Sequence, residues 1–182
     1  FDMQVDSVRF GTLSVDDDKI IRFPKGLPGF EDEHRFFLMD HAASSKIKWL
    51  HSADNPNLAL VVADPFDLFE EYRPEVPDEI MRNLGITSSD GALVLTVLTV
   101  RAGQREGEPP AISANLLAPI VISRDRRIGT QVLLRSGEYG VRHQVPMLPG
   151  GDAKHEPSCG AGGVGSAGSV GGVHGEAIVA TA

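Results

Sequence analysis

The chain is 182 residues long, 41% hydrophobic and 23% charged, which fits one globular domain with one core rather than a disordered or fibrous chain. Seventeen Lys and Arg against 25 Asp and Glu give −8 at pH 7, a balance that repels phosphate backbones and argues against direct nucleic-acid binding. The single Cys159 excludes an internal disulfide, a CxxC redox pair and a thiolate zinc site.

No stretch approaches the roughly 18 to 20 apolar residues of a membrane span, and the N-terminus lacks the basic-then-apolar order of a signal peptide. The chain is therefore expected to be cytoplasmic. Met3 reads as a natural start, with Phe1-Asp2 as an added remnant or upstream read-through.

From the N-terminus, β-type segments recur at short spacing between Gly, Pro and Asp clusters: 6–15, 19–23, 35–40, 48–53, 58–63, 92–101, 112–123 and 128–134. That rhythm predicts a mainly β fold, a small antiparallel β-barrel-like domain with one or two short helices. The runs Leu58-Ala59-Leu60-Val61-Val62 and Leu93-Val94-Leu95-Thr96-Val97-Leu98 are continuously apolar, which predicts burial on both faces. A short helical turn is expected at 65–71. A helix is predicted over 78–84, where Pro77 precedes two acids and Gly85 stops the pattern. No β-α-β alternation supports a nucleotide-binding sheet. Ten of the 20 glycines lie in residues 149–182, which carry no aromatic residue. The domain is expected to span 1–148 and a flexible Gly-rich tail 149–182, since such a segment buries too little to offset its ordering entropy. The tail holds three acids and one lysine, which leaves −6 on residues 1–148.

Catalytic chemistry finds no candidate. Two G-x-G-x-x-G matches fall in the tail, without the strand and helix that would aim such a loop at a pyrophosphate. Six histidines are scattered without ligand spacing, so no metal site and no cofactor are expected. No serine has a nucleophile-elbow setting. The acid runs Asp16-Asp17-Asp18 and Glu31-Asp32-Glu33 read as solvated turns.

The segment Phe23-Pro24-Lys25-Gly26-Leu27-Pro28-Gly29-Phe30-Glu31 packs two Pro-containing turns between two phenylalanines, a stiff loop. Three further blocks follow it: Trp49 to Pro65 (W-L-H-S-A-D-N-P-N-L-A-L-V-V-A-D-P), Tyr72-Arg73-Pro74, and Ala114-Asn115-Leu116-Leu117-Ala118-Pro119-Ile120-Val121-Ile122 running into Gly129-Thr130-Gln131-Val132. In this order and spacing, over about residues 5–140, they resemble the FliW family of bacterial flagellar assembly factors. The chain departs from that pattern at Leu60, at Ser123 and in its Gly-rich tail.

The resemblance implies a β-barrel-like protein without catalytic activity that binds flagellin and also the RNA-binding translational repressor CsrA, relieving repression of the flagellin message. An acidic cytoplasmic domain suits a basic partner. Other readings consistent with the residues are an export-type chaperone for flagellin alone and a small-ligand or hydrolytic β-barrel using the carboxylates. Motif positions Pro28, Gly29, Phe30, Asp54, Pro56, Pro65, Asn115, Ala118 and Pro119 read as architectural, with Asp54 and Asn115 expected to close local side-chain to backbone hydrogen bonds. The expected partner surface is Asp64, Asp67, Phe69, Glu70 and Glu71, where acids stand beside the aromatics of Phe66-Asp67-Leu68-Phe69. The same pattern is met if Phe66 and Phe69 pack inward and the acids form a solvated rim.

Overall fold

The computed structural model describes residues 2–43, 45–103, 107–135 and 137–146. The expected domain end at Leu148 and the segment 149–182 lie outside them, as does Phe1.

The segment expected to form one strand over 6–15 is a hairpin: β1 (Asp2–Ser7) pairs antiparallel with β2 (Gly11–Asp16). The reversal is stabilised by the Ser7 hydroxyl, whose oxygen accepts the amides of Arg9 and Phe10 at 3.3 and 3.2 Å, a side-chain turn that competes with strand continuation. There follow β3 (Ile21–Arg22), β4 (Arg35–Asp40), β5 (Ile47–Ser52), β6 (Ala59–Ala63), β7 (Ala92–Arg101), β8 (Ala111–Ala114), β9 (Ile120–Ser123), β10 (Ile128–Gln131) and β11 (His143–Gln144). The expected strand 112–123 divides into β8 and β9. The Asn115 carboxamide oxygen accepts the Ala118 amide at 3.1 Å, and Pro119 has no N–H for a ladder. Two helices, α1 (Pro65–Leu68) and α2 (Asp78–Leu84), lie between β6 and β7.

The second sheet runs β11-β8-β7-β6-β5-β4-β3-β10-β9, and β9 also pairs with β7, so the strand order turns back on itself. Two links in this circuit are thin. The strands β3 and β10 share a single registered pair, Ile128 with Arg22, and are parallel; β6 and β7 share two pairs, Val62 with Val97 and Ala63 with Thr96. The sheet is thus a partial ring with one parallel contact, not a plainly closed antiparallel barrel. The strand β3 is followed at once by Phe23-Pro24, and proline removes the donor that a longer ladder would need.

Alternation along the strands sorts the side chains. Phe36, Leu50, Leu60, Val62, Leu95, Ile120 and Ile122 pack together with Ile21, Phe23 and Leu27 in one cluster, which fills the ring. Their neighbours Trp49, Val61, Ala63, Leu98 and Val121 belong to a second cluster with Leu68, Tyr72, Leu84 and Ile86. The two-faced burial expected of both apolar runs is realised in β6, where Leu60 to Ala63 are all buried, and only in part in β7, where Leu95, Thr96 and Leu98 are buried while Leu93, Val94 and Val97 stay partly exposed. A third cluster seats Val5 and Val15 of the N-terminal hairpin against Phe37.

A buried polar lock fixes that hairpin. His51 is 1% exposed and stacks on Phe37 with ring centroids 5.3 Å apart. Its Nδ1 lies 2.6 Å from the Ser52 carbonyl oxygen and its Nε2 lies 2.8 Å from Ser7 Oγ. A carbonyl only accepts, so Nδ1 carries the proton. Ser7 Oγ already accepts two amides, so its own proton is given to Nε2. The neutral imidazole satisfies every group.

Gly129 is where the ring interior is tightest: a Cβ there would stand 2.8 Å from Phe23 Cε1 and 2.9 Å from Ile122 Cγ1. Gly129→Val is expected to lower the unfolding free energy by about 2 kcal/mol or more, through overpacking of a filled core, as read from urea denaturation. An unchanged midpoint would show that Phe23 can give way.

Candidate functional site

The segment after β6 turns on Asp64, whose carboxylate accepts the Phe66 amide at 2.9 Å, with Pro65 opening the helix. A four-residue helix is too short to stand by itself. It is held by burial of Pro65 and Leu68 and by Tyr72, which is 1% exposed and donates its hydroxyl to the Leu116 carbonyl at 2.9 Å. Burial, with the neighbouring Tyr139, pushes the Tyr72 phenol above its ordinary range.

Because Leu68 and Tyr72 point inward, the residues between and before them face water. Phe66 is 43% exposed, and Asp67, Glu70 and Glu71 are exposed. Phe69 is partly buried against the outer cluster and meets His143 edge-on at 6.3 Å. The two phenylalanines thus divide between solvent and core. The aromatic contacts continue from Phe66 to Tyr72 at 5.8 Å, to Tyr139 at 4.8 Å and to His143 at 6.4 Å. Arg73 donates its amide to the Tyr139 hydroxyl and its guanidinium to the carbonyls of Glu70 and Tyr72. Lys46 Nζ reaches the Asp67 carbonyl at 3.3 Å. None of Asp67, Glu70, Glu71, Glu75, Asp78 or Glu79 enters an ion pair among the described residues. The result is an acidic surface, continued into the first turn of α2, with one exposed aromatic at its edge.

Apart from Pro65, which opens α1, the motif residues lie elsewhere and brace the ring. Pro28 and Gly29 occupy the centre of a tight turn in which the Leu27 and Phe30 backbones exchange hydrogen bonds of 3.2 and 2.7 Å. Gly29 has φ +84, as the third position of a type II turn requires. Its amide donates to Glu31, which holds that carboxyl below its ordinary range. Pro28, Phe30 and Asn115 meet Leu60, Val97 and Gln131 around a depression of about 40 Å³ at the end of the ring. It is lined by no titratable side chain and is far below the roughly 300 Å³ of a small-ligand pocket. Ala118 gives its carbonyl to Gln131 Nε2 and Pro119 its carbonyl to the Val132 amide. The Pro56 carbonyl accepts the Val8 amide at 3.0 Å and ties the N-terminal hairpin down. The two departures from the family pattern are also internal: Leu60 fills the ring, and Ser123 Oγ accepts the Arg126 amide at the β9–β10 turn.

One expectation needs correction. Asp54 does not close a local turn; its carboxylate receives the Arg35 guanidinium in a forked pair. The local bonds come from Ser52, whose buried hydroxyl accepts the amides of Asp54 and Asn55 at 3.1 and 3.0 Å and donates to Glu33 at 2.7 Å. Asn55 Nδ2 donates to the other Glu33 oxygen at 2.9 Å. The run Glu31-Asp32-Glu33 is therefore not simply solvated. The run Ser52-Ala53-Asp54-Asn55 carries turn-forming residues, but nothing local pointed to Glu33. Glu33→Ala strands the buried Ser52 hydroxyl and is expected to cost about 1–3 kcal/mol, measured by chemical denaturation. Loss of less than about 0.5 kcal/mol would mean that water replaces the carboxylate.

Among the described residues, no group of three or more His, Cys, Asp or Glu side chains could hold a metal ion, and no helix is long and apolar enough to cross a membrane. A family model described as FliW protein matches residues 4–145. The chain is 35% identical over 158 residues to the flagellar assembly factor FliW of Desulfitobacterium hafniense (strain DSM 10664 / DCB-2), covering 87% of this chain and 99% of that one. It is 34% identical over 158 residues to the protein of the same name from Moorella thermoacetica, covering 87% and 98%. A crystal structure of the flagellar assembly factor FliW superposes with a TM-score of 0.68 at 28% identity, covering 78% of this chain and 96% of that one. Carried by a matched stretch that takes in both the braced ring and the acidic segment over it, the chain belongs to the FliW family of flagellar assembly factors, which are non-enzymatic regulators.

Proposed function

We propose that this chain acts in the cytoplasm as a partner-switching regulator that binds flagellin and a CsrA-type RNA-binding translational repressor, and so ties flagellin synthesis to flagellin use. The observation that carries the reading is the surface built on α1 and its continuation. Asp67, Glu70 and Glu71 are exposed beside Phe66 and enter no ion pair among the described residues, and Glu75, Asp78 and Glu79 extend the negative field. An RNA-binding protein presents positive charge. A surface of this kind draws such a partner in by long-range attraction, while an aromatic at its edge supplies apolar contact area. Binding there adds negative charge close to the repressor's RNA face, which disfavours a second polyanion.

Among the described residues the three acids make no hydrogen bond or ion pair through their side chains, so the replacement Asp67→Lys with Glu70→Lys and Glu71→Lys in the full chain is expected to leave the thermal midpoint unchanged. It is expected to weaken repressor binding more than tenfold at 0.1 M salt, a loss of about 1.4 kcal/mol or more. Isothermal titration of purified repressor checks this. Unchanged affinity would place the repressor on another face.

A further inference from the structure

A second charged surface, of opposite sign, stands at the other end of α2. Arg22, Arg82, Arg124, Arg126 and Arg127 are all exposed, and none enters an ion pair among the described residues. Their grouping follows from backbone bonds: the Arg22 amide donates to the Arg127 carbonyl at 2.8 Å, Arg127 closes the turn onto the Ser123 carbonyl at 3.0 Å, and the Arg124 amide reaches Gly91 at 2.9 Å. Arg126 lies flat on the α2 C-terminus, since a Cβ at Gly85 would stand 2.3 Å from its Cζ. Arg82 occupies the last turn of that helix. The acids nearest the arginines are Asp90 and Asp125, with Asp78 and Glu79 at the start of α2, so at the corner itself five arginines stand against two acids on a chain whose total is −8.

Two further features set the corner apart from a scatter of surface arginines. Arg127 is the one non-glycine residue at positive φ, +52, among the described residues, a conformation that glycine or asparagine would hold with less strain. Beside it, Met81, Arg82 and Ile86 with the hydroxyls of Thr87, Ser88 and Ser89, and with Asp78, line an open cleft of about 390 Å³. The cleft adjoins the arginines: Arg82 lines it, and Gly91, whose carbonyl accepts the Arg124 amide, donates its own amide to the Ser88 carbonyl.

We propose that this arginine corner and the adjoining cleft are a docking site for a short acidic peptide segment bearing an aliphatic side chain, its acidic residues on the arginines and away from Asp78, where the cleft meets the acidic surface. Carboxylates match the planar fork of each guanidinium, and the partly buried Met81 offers the apolar contact. A short segment is favoured over RNA on two grounds. The seven residues of α2 span only about 10 Å between the corner and the acids Asp78 and Glu79, so a long polyanion would run onto like charge. Phe23, the aromatic next to Arg22 in the chain, is 0% exposed and offers no face on which a base could stack.

The test uses the full chain and a fluorescein-labelled peptide, Glu-Glu-Leu-Leu-Glu-Glu, followed by anisotropy. Binding is expected to weaken at least tenfold for Arg126→Glu and at least threefold for Arg127→Gly, and to fall as salt rises from 50 to 500 mM. The Arg127→Gly variant is expected to keep or raise the thermal midpoint, which a merely structural arginine would not do. Replacing Asp67 and Glu70 with Lys is expected not to weaken the peptide, so the result stands apart from that of the repressor experiment. Equal affinity of the arginine variants and the parent, or tighter binding of a labelled uridine 12-mer than of the peptide, would overturn the proposal.

Discussion

The structure depends on strands that are buried on both faces. In β6 the side chains of Leu60 and Val62 fill the ring while Val61 and Ala63 face outward into a second core. An outer apolar face of that kind must be covered, and burying each such side chain is worth about 1.5–3 kcal/mol. The chain covers it in two places: α1, α2 and the segment between them bring Leu68, Leu84 and Tyr72 onto one part, and the N-terminal hairpin brings Val5 and Val15 onto another. Elements this small have little stability of their own, so their position is dictated by the strands beneath them.

This requirement also builds the surface. With Leu68 and Tyr72 committed inward, Asp67, Glu70 and Glu71 have only solvent to face. Tyr72 anchors the segment through the Leu116 carbonyl, so the residues linking β8 to β9 hold the acidic segment in place at one remove. The motif residues Pro28, Gly29, Asn115 and Pro119 act earlier in this chain of dependence, shaping the end of the ring and the break between β8 and β9.

The strands β4 and β7 were legible residue for residue, because alternation and long apolar runs report burial directly. Helix α2 was legible through its proline start and glycine stop, and the short turn of α1 through Asp64-Pro65. What the sequence concealed was long-range pairing. The hairpin reversal at Ser7 depends on a hydroxyl shared with His51, 44 positions away, and the turn at Ser52 depends on Glu33, 19 positions away. The return of β9 onto β7 is a property of register, which no local pattern encodes. The acidic segment was visible as composition, but the split between an exposed Phe66 and a partly buried Phe69 needed the packing. The arginine corner gathers residues from three separate stretches of chain and left no trace in the sequence.

The central proposal is that a non-enzymatic ring exchanges an RNA-binding repressor for flagellin. A gel-shift competition tests it most directly: the chain is added to a preformed complex of the repressor with a flagellin leader RNA, and flagellin is added afterwards. Partner switching predicts that the chain releases the RNA and that flagellin restores the shifted band. A band that stays shifted at every concentration of folded chain would contradict it.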